Sequence, residues 1–503
     1  MSADYLVANQ PDILEVIADL SNDAVFTPPK VVNAVLDLLP DEVWSDPSLR
    51  WLDPGAKTGV FPREITKRLM VGLAQAIPDE TARLEHILRE MVFAIATEEI
   101  TGMMSRRSLY CSKDASGEFS TVRFADPDGN VWQKLVKHSF TPKGTCSECG
   151  GLQDQLESAG RDNKAYALIH GEGRHLLRQE MDMQFDVIIG NPPYQMDTGG
   201  SGRQALPIYQ KFIQQAKELN PKYMAWIIPS RWFAGGMGLD GFRTEMLEDD
   251  QIRYIVDYLD ARECFPGVDI AGGVCYFMWE KGSHGPCVVE NRWSGKTWQS
   301  TRPLNEFDVF VRMDPAAEIV RKVTAQGLES MTSIISGVRP FGIPTSERPT
   351  GQGKVHLLSS GGEGLIRSDK VTAGKDMLSK WKVITSKASH DHGGQPDKEG
   401  RRRVLSKTQV MPPNWVCTES YIVLGAFDTE QEANNCLDYV KTFFVRFLVS
   451  TRSLSQDITR DRFAFVPMVD FKKPQTDAAL FVKFGIDAKQ QDFIKSVIKE
   501  MPA

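Results

Sequence analysis

The run "FDVIIG", Phe185 to Gly190, limits the fold more than any other stretch of this chain. It is too short for a helix, and it is apolar at consecutive positions rather than alternate ones. That is the pattern of a strand covered on both faces, inside a sheet flanked by helices. Asn191, Pro192, Pro193 and Tyr194 follow it directly. They are therefore expected at the carboxyl edge of a central strand, where open α/β sheets hold their ligands.

The rest of the first 280 residues repeats strand and helix. "FTPPKVVNAVLDLLP" puts Thr27 at a helix-cap position, prolines in the first turn, and Val31, Val32, Val35, Leu38 and Leu39 on one face. "LRWLDPGAKTGVF" reads as a strand entering a glycine-bearing turn, and "PREITKRLMVGLAQAI" continues it at helical period. "VFAIATEEITGMMSRRSLY" is a strand to about Thr97, an acidic turn and a helix. After "FDVIIG" come the glycine-rich loop "DTGGSGRQ", the helix "LPIYQKFIQQAKEL" and the strands "YMAWIIPS", "IRYIVDYLD" and "VCYFMWE". The alternation predicts a doubly wound, Rossmann-like α/β sheet.

Two regions break the pattern. Residues 111–170 are polar and dotted with glycine, and read as an insertion. From about residue 300 the alternation blurs, and "SGVRPFGIPTSERPTGQGK" interrupts it, so a C-terminal α+β domain is expected over 301–503 after a first domain of 1–300.

The insertion holds the one CxxC spacing, Cys146 and Cys149, with Cys111 and His138 upstream. Eight scattered cysteines in a chain that starts without a basic signal-like region suggest a reducing compartment. There, CxxC points to metal before disulfide, and Cys111, His138, Cys146 and Cys149 would suit tetrahedral zinc. The alternative is a glycine turn with two unengaged thiols. Four protein ligands would make the ion structural.

A net charge of −7 argues against indiscriminate polyanion binding but permits a local basic face. Between Lys380 and Lys407 eight Lys/Arg stand against three Asp/Glu, including Arg401, Arg402 and Arg403. These three are candidate phosphate contacts, or a solvated loop. No apolar stretch is long enough for a bilayer, and a cytoplasmic protein without membrane partners is expected.

The chemistry of Asn191 to Tyr194 follows from its groups. Two prolines fix φ and remove two backbone donors, leaving carbonyls to accept. The Asn191 side chain adds an acceptor, and Tyr194 a ring. A flat group bearing an NH2 fits such a site. The lone pair of a nucleobase amine is delocalised into its ring, and two acceptors on its hydrogens would hold it toward sp3 geometry. Since that amine lies inside a duplex, the base must be flipped out, and stacking on Tyr194 offsets part of the cost.

"NPPY" after an apolar strand, downstream of "FTPPKVV" and "LDPGAKTGVF", closely resembles the gamma-class adenine-N6 DNA methyltransferases of restriction–modification systems. The specific resemblance covers about residues 1–282. It implies S-adenosylmethionine as cofactor, double-stranded DNA as substrate and a C-terminal target-recognition domain. It makes Asn191, Pro192, Pro193 and Tyr194 catalytic, and Thr27, Pro28, Asp53, Gly55 and Gly59 cofactor contacts, with Glu98 or Glu99 holding the ribose hydroxyls. Phe265 in "ECFPGVDIAGGVCYF" would sandwich the flipped base against Tyr194. The loop departs from the family at Lys57, which stands where glycine is usual. S-adenosylmethionine carries no phosphates and needs less close backbone approach, so Lys57 is expected to be tolerated. Two other readings are an RNA adenine-N6 methyltransferase and a catalytically silent DNA-recognition subunit. No nuclease motif is evident, so cleavage would belong to a separate restriction endonuclease subunit.

Overall fold

The computed structural model describes residues 26–134, 136–158, 165–180, 183–195, 206–389, 397, 400–453 and 457–501. The N-terminal segment and the loop "DTGGSGRQ" lie outside the described residues. The chain divides into two compact units, Met1–Trp293 with Gln299–Asp308, and Ser294–Trp298 with Val309–Ala503.

The first unit is built on a large sheet. Its strands are β1 (Trp51–Ala56), β2 (Val92–Ala96), β3 (Val131–Trp132), β4 (Val187–Gly190), β5 (Tyr223–Pro229), β6 (Ile252–Tyr258), β7 (Val274–Glu280), β8 (Cys287–Trp293) and β9 (Lys296–Arg302). They lie in the order β3-β2-β1-β4-β5-β7-β6-β8-β9. β1 pairs parallel with β2 on one side and with β4 on the other, and β4 pairs parallel with β5. The chain thus winds outward in two directions from β1 and β4. The crevice at their carboxyl ends is the topological switch point, where this class of sheet binds ligands. All residues of β1, β2, β4 and β5 are buried, as the unbroken apolar run of β4 requires.

Helices α1 (Pro29–Leu36), α2 (Val60–Gly72) and α3 (Glu99–Tyr110) belong to this half of the sheet. α1 buries Val31, Val32, Val35 and Leu36 in the core beside Trp51, Val187 and Ile189. The expected Thr27 cap is not formed. Pro28 is the N-cap residue, with no side-chain cap bond, because the Thr27 hydroxyl is engaged elsewhere. Helices α4 (Gly171–Glu180), α5 (Tyr209–Glu218) and α6 (Asp240–Glu248) follow.

The strand pattern departs from all-parallel winding at β7, which pairs antiparallel with both β5 and β6. Residues 259–273 join β6 to β7 with only a short 3-10 turn. Parallel crossovers usually carry an α-helix, and this connection has none, consistent with the reversal.

The second unit holds two three-stranded sheets. One is β11 (Gly362–Ile366), β10 (Val355–Ser359), β14 (Trp415–Cys417), and the other is β13 (Thr408–Met411), β12 (Trp381–Ser386), β15 (Tyr421–Phe427). Leu357 and Val416 of the first share a core with Ile384 and Val423 of the second. Helices follow at Glu430–Lys441 and Phe443–Thr451. Among the described residues no helix is long and apolar enough to cross a membrane.

Candidate functional site

β1 and β4 deliver two loops to one place. A small open pocket is lined by Phe26, Thr27, Asp53, Gly55, Lys57, Thr58, Gly59, Val60, Phe61 and Asn191. Residues expected from three separate motifs therefore meet at the switch point.

Asn191 is buried, and its Nδ2 donates to Thr27 Oγ1 at 2.9 Å. This bond gives Thr27 a role that its sequence position did not reveal. It fixes the amide rotamer, so that Oδ1 is the acceptor end of the side chain. Pro28 joins it by heading α1.

The β1 loop packs closely on this segment. A Cβ on Gly55 would lie 3.3 Å from the Asn191 carbonyl oxygen and from Pro192 Cα. A Cβ on Gly190 would lie 2.6 Å from Asp53 Oδ1. Gly190 was not singled out from the sequence, although it directly precedes the tetrapeptide. Gly59 has φ of 75° and starts α2, and a Cβ there would sit 2.8 Å from Ser105 Cα. Helix α3 braces the turn: Ser108 Oγ donates to the Thr58 carbonyl at 2.7 Å.

Asp53 is buried, and burial is the largest influence on its carboxyl, pushing the pKa up to about 7. The Gly55 N–H, 3.1 Å away, and the Lys57 charge oppose that rise. Lys57 is itself only 8% exposed, and its Nζ stands 5.8 Å from the centroid of the Tyr194 ring, at cation–π range. The residue in place of the expected glycine thus reaches both the buried acid and the tyrosine face.

Tyr194 is buried, which pushes its hydroxyl pKa well above the ordinary value. Phe265 is 1% exposed and packs in the core cluster with Tyr258, Ala261, Cys264, Val274 and Tyr276. The ring expected to face a base is, as folded, a core side chain. Glu98 and Glu99 stand just past β2, the neighbour of β1, and both are exposed. Glu98 is the N-cap of α3 in a capping box with Thr101, and its own N–H donates to Thr101 Oγ1 at 2.9 Å.

In the insertion, His138, Cys146, Cys149 and His170 are all buried, with one ligand-capable atom from each lying within 4.8 Å of the others. The expected set is corrected at one position. Cys111 is exposed, at the left-handed C-cap of α3, and takes no part in this group. The fourth member is His170, at the far limit of the insertion. His170 is nearer in sequence to Cys146 than Cys111 is, and only the tertiary fold decides which of the two joins the cysteines.

In the second unit, the arginine run is not a simple solvated loop. Arg401, Arg402 and Arg403 are all half-buried. Arg402 forms a parallel bridge to Ile498, its N–H donating to the Val497 carbonyl at 2.8 Å and its carbonyl accepting from Lys499 N at 2.7 Å.

Residues 90–265 match the family model of the Eco57I restriction-modification methylase. An uncharacterized adenine-specific methylase of Mycoplasma pneumoniae is 37% identical over 329 residues, covering 60% of this chain and 78% of that protein. Among solved structures, a DrdV–DNA complex is 13% identical with a TM-score of 0.48, covering 92% of this chain and 58% of that one. A nuclease-deletion mutant of the type ISP restriction-modification enzyme LlaGI, in complex with a DNA substrate mimic, is 11% identical with a TM-score of 0.49, covering 89% of this chain. This chain spans 46% of that enzyme's length. The match to the mycoplasmal protein over most of its length shows that the chain belongs to the adenine-specific methylase family.

Proposed function

We propose that the protein transfers a methyl group from S-adenosylmethionine to the N6 amine of an adenine flipped out of double-stranded DNA, as the modification component of a restriction–modification system. The observation that carries this reading is the Asn191 amide, buried at the carboxyl end of β4 and locked by Thr27 beside the β1 loop.

The pocket suits the cofactor by its chemistry. Phe26, Val60 and Phe61 offer apolar surface, Gly55 and Gly59 let the loop pack against Asn191 and α3, and Asp53 offers a carboxyl among them. Glu98 and Glu99 supply carboxylates for ribose hydroxyls from the end of β2. S-adenosylmethionine, when bound, supplies an electrophilic methyl group on a sulfonium sulfur.

The chain's own residues then act on the acceptor. Asn191 Oδ1 and the Pro192 carbonyl take hydrogen bonds from the adenine amine, drawing its lone pair out of conjugation. Pro192 and Pro193 keep those acceptors in place, since each ring fixes φ. Tyr194 stacks on the base. The Lys57 ammonium at the tyrosine face would yield that position as the base arrives. Phe265 would join only if residues 259–273 repack. The second unit is assigned target recognition, with Arg401, Arg402 and Arg403 as phosphate contacts, and cleavage belongs to a separate endonuclease chain. A structural zinc ion in the insertion completes the reading, its four protein ligands leaving no position open to a methyl acceptor.

The test is incubation of the purified protein with methyl-labelled cofactor and DNA, RNA and protein acceptors, followed by mapping of modified bases. Label at adenine N6 in duplex DNA is expected. Label confined to RNA, or none in the presence of measurable cofactor binding, would overturn the reading.

A further inference from the structure

We infer that His138, Cys146, Cys149 and His170 bind one zinc ion, and that this site holds α5 in the position from which it supports Tyr194. The ligand set stands on the donor geometry alone, and the positioning role rests on the methyl-transfer reading above.

The donor spacing fits a metal. Zn–S bonds of about 2.3 Å and Zn–N bonds of about 2.0–2.1 Å give a tetrahedron sulfur-to-nitrogen edges of about 3.6 Å. Cys149 Sγ lies 3.4 Å from His138 Nδ1, and Cys146 Sγ lies 3.8 Å from His170 Nε2. The other ring nitrogen of His170, Nδ1, is 2.8 Å from the Tyr166 carbonyl. That contact makes Nδ1 the protonated nitrogen and turns the Nε2 lone pair toward the sulfurs, the outer-shell arrangement of zinc-bound histidines. The turn between the cysteines closes as a knuckle. Gly150, at φ of 81°, donates to the Cys146 carbonyl at 3.1 Å, and the Gly151 N–H points at Cys149 Sγ at 3.4 Å. The donors are two thiols and two imidazoles with no carboxylate, a borderline-soft set that suits zinc over calcium or magnesium.

Two paths lead from the quartet to α5. Glu148, between the cysteines, accepts at its carbonyl from Lys211 Nζ of α5. Tyr166, whose carbonyl orients His170, meets Phe212 of α5 edge-on at 5.6 Å. The residue before α5, Ile208, donates its N–H to the Tyr194 carbonyl at 3.2 Å, and Pro207 bridges Gln195. The Glu148 carboxylate ties the knuckle to α4 as well, accepting from Gly171 N at 2.9 Å and pairing with Arg174 at 3.4 Å. The insertion therefore contacts the element that holds the substrate tyrosine. With the ion in place, these contacts share one rigid centre.

Elemental analysis of the purified full chain tests the ligand set. About one zinc per chain is expected, retained in Cys111→Ser and lost in His170→Ala, and fewer than about 0.2 per chain in the wild type would overturn it. Zinc kept by His170→Ala but lost by Cys111→Ser would overturn it equally. Lys211→Met tests the positioning role. This variant should keep its zinc and its affinity for S-adenosylmethionine, while kcat and the fluorescence of a 2-aminopurine placed at the target base both fall several-fold. Unchanged kcat and fluorescence would overturn that role. A wild type that binds zinc but methylates no DNA would instead count against the functional reading, with the metal assignment left standing.

Discussion

Asn191 reaches its orientation through one contact that no motif spells out, the hydroxyl of Thr27, 164 residues away in the chain. The chemistry assigned to it predicts that Asn191→Ala lowers kcat by about 10²–10³-fold, in the range seen when one preorganised polar group is removed from a reacting centre. Calorimetric affinity for S-adenosylmethionine should change little, and wild-type turnover would exclude the mechanism. Thr27→Val keeps the size but deletes the acceptor. Losing this buried hydrogen bond costs about 0.5–1.5 kcal/mol, and a loss of about tenfold in kcat is expected in single-turnover assays. Asp53 makes a prediction in pH. With its native pKa raised to about 7 from an ordinary 3.8, the folded chain holds a proton that the unfolded chain has released. Stability is then lost as pH rises from about 4 to 7. Asp53→Asn should melt above the wild type at pH 8, by on the order of 2–4 °C, and converge with it near pH 4, while binding the cofactor more weakly.

At the scale of elements, the tight meeting of β1 and β4 makes the site sensitive to substitution. A methyl group on Gly190 would enter the space of the Asp53 carboxylate at 2.6 Å, with β1 and β4 held on both sides by the sheet. Gly190→Ala is therefore expected to weaken S-adenosylmethionine binding at least tenfold, measured by calorimetry, with a far-UV spectrum like that of the wild type. The segment before β7 carries the other test. Phe265 packs in the core as folded, so Phe265→Ala should cost about 3–5 kcal/mol in urea denaturation. Phe265→Leu refills most of that volume and should recover most of the stability. A leucine variant that folds normally yet loses target-base affinity would show that the ring leaves the core to stack. The sequence showed that an aromatic residue stands here. It could not show which way the ring faces, because a buried and a stacking phenylalanine obey the same local pattern.

For the whole molecule, the legible part and the hidden part divide by the range of the interactions. Alternating strands and helices, a β4 covered on both faces and Asn191 at a sheet edge could all be read from the sequence, and the family resemblance added Asp53 and Gly55 to the same site. Apolar periodicity and turn chemistry act over a few residues, and right-handed crossovers then leave few ways to assemble the strands. The reversal of β7, the engagement of Thr27 with Asn191, the reach of Lys57 to the Tyr194 face and the entry of His170 in place of Cys111 were decided by tertiary structure alone. Each pairs groups from different elements, and such pairings depend on how elements pack, which no local pattern of residue types encodes.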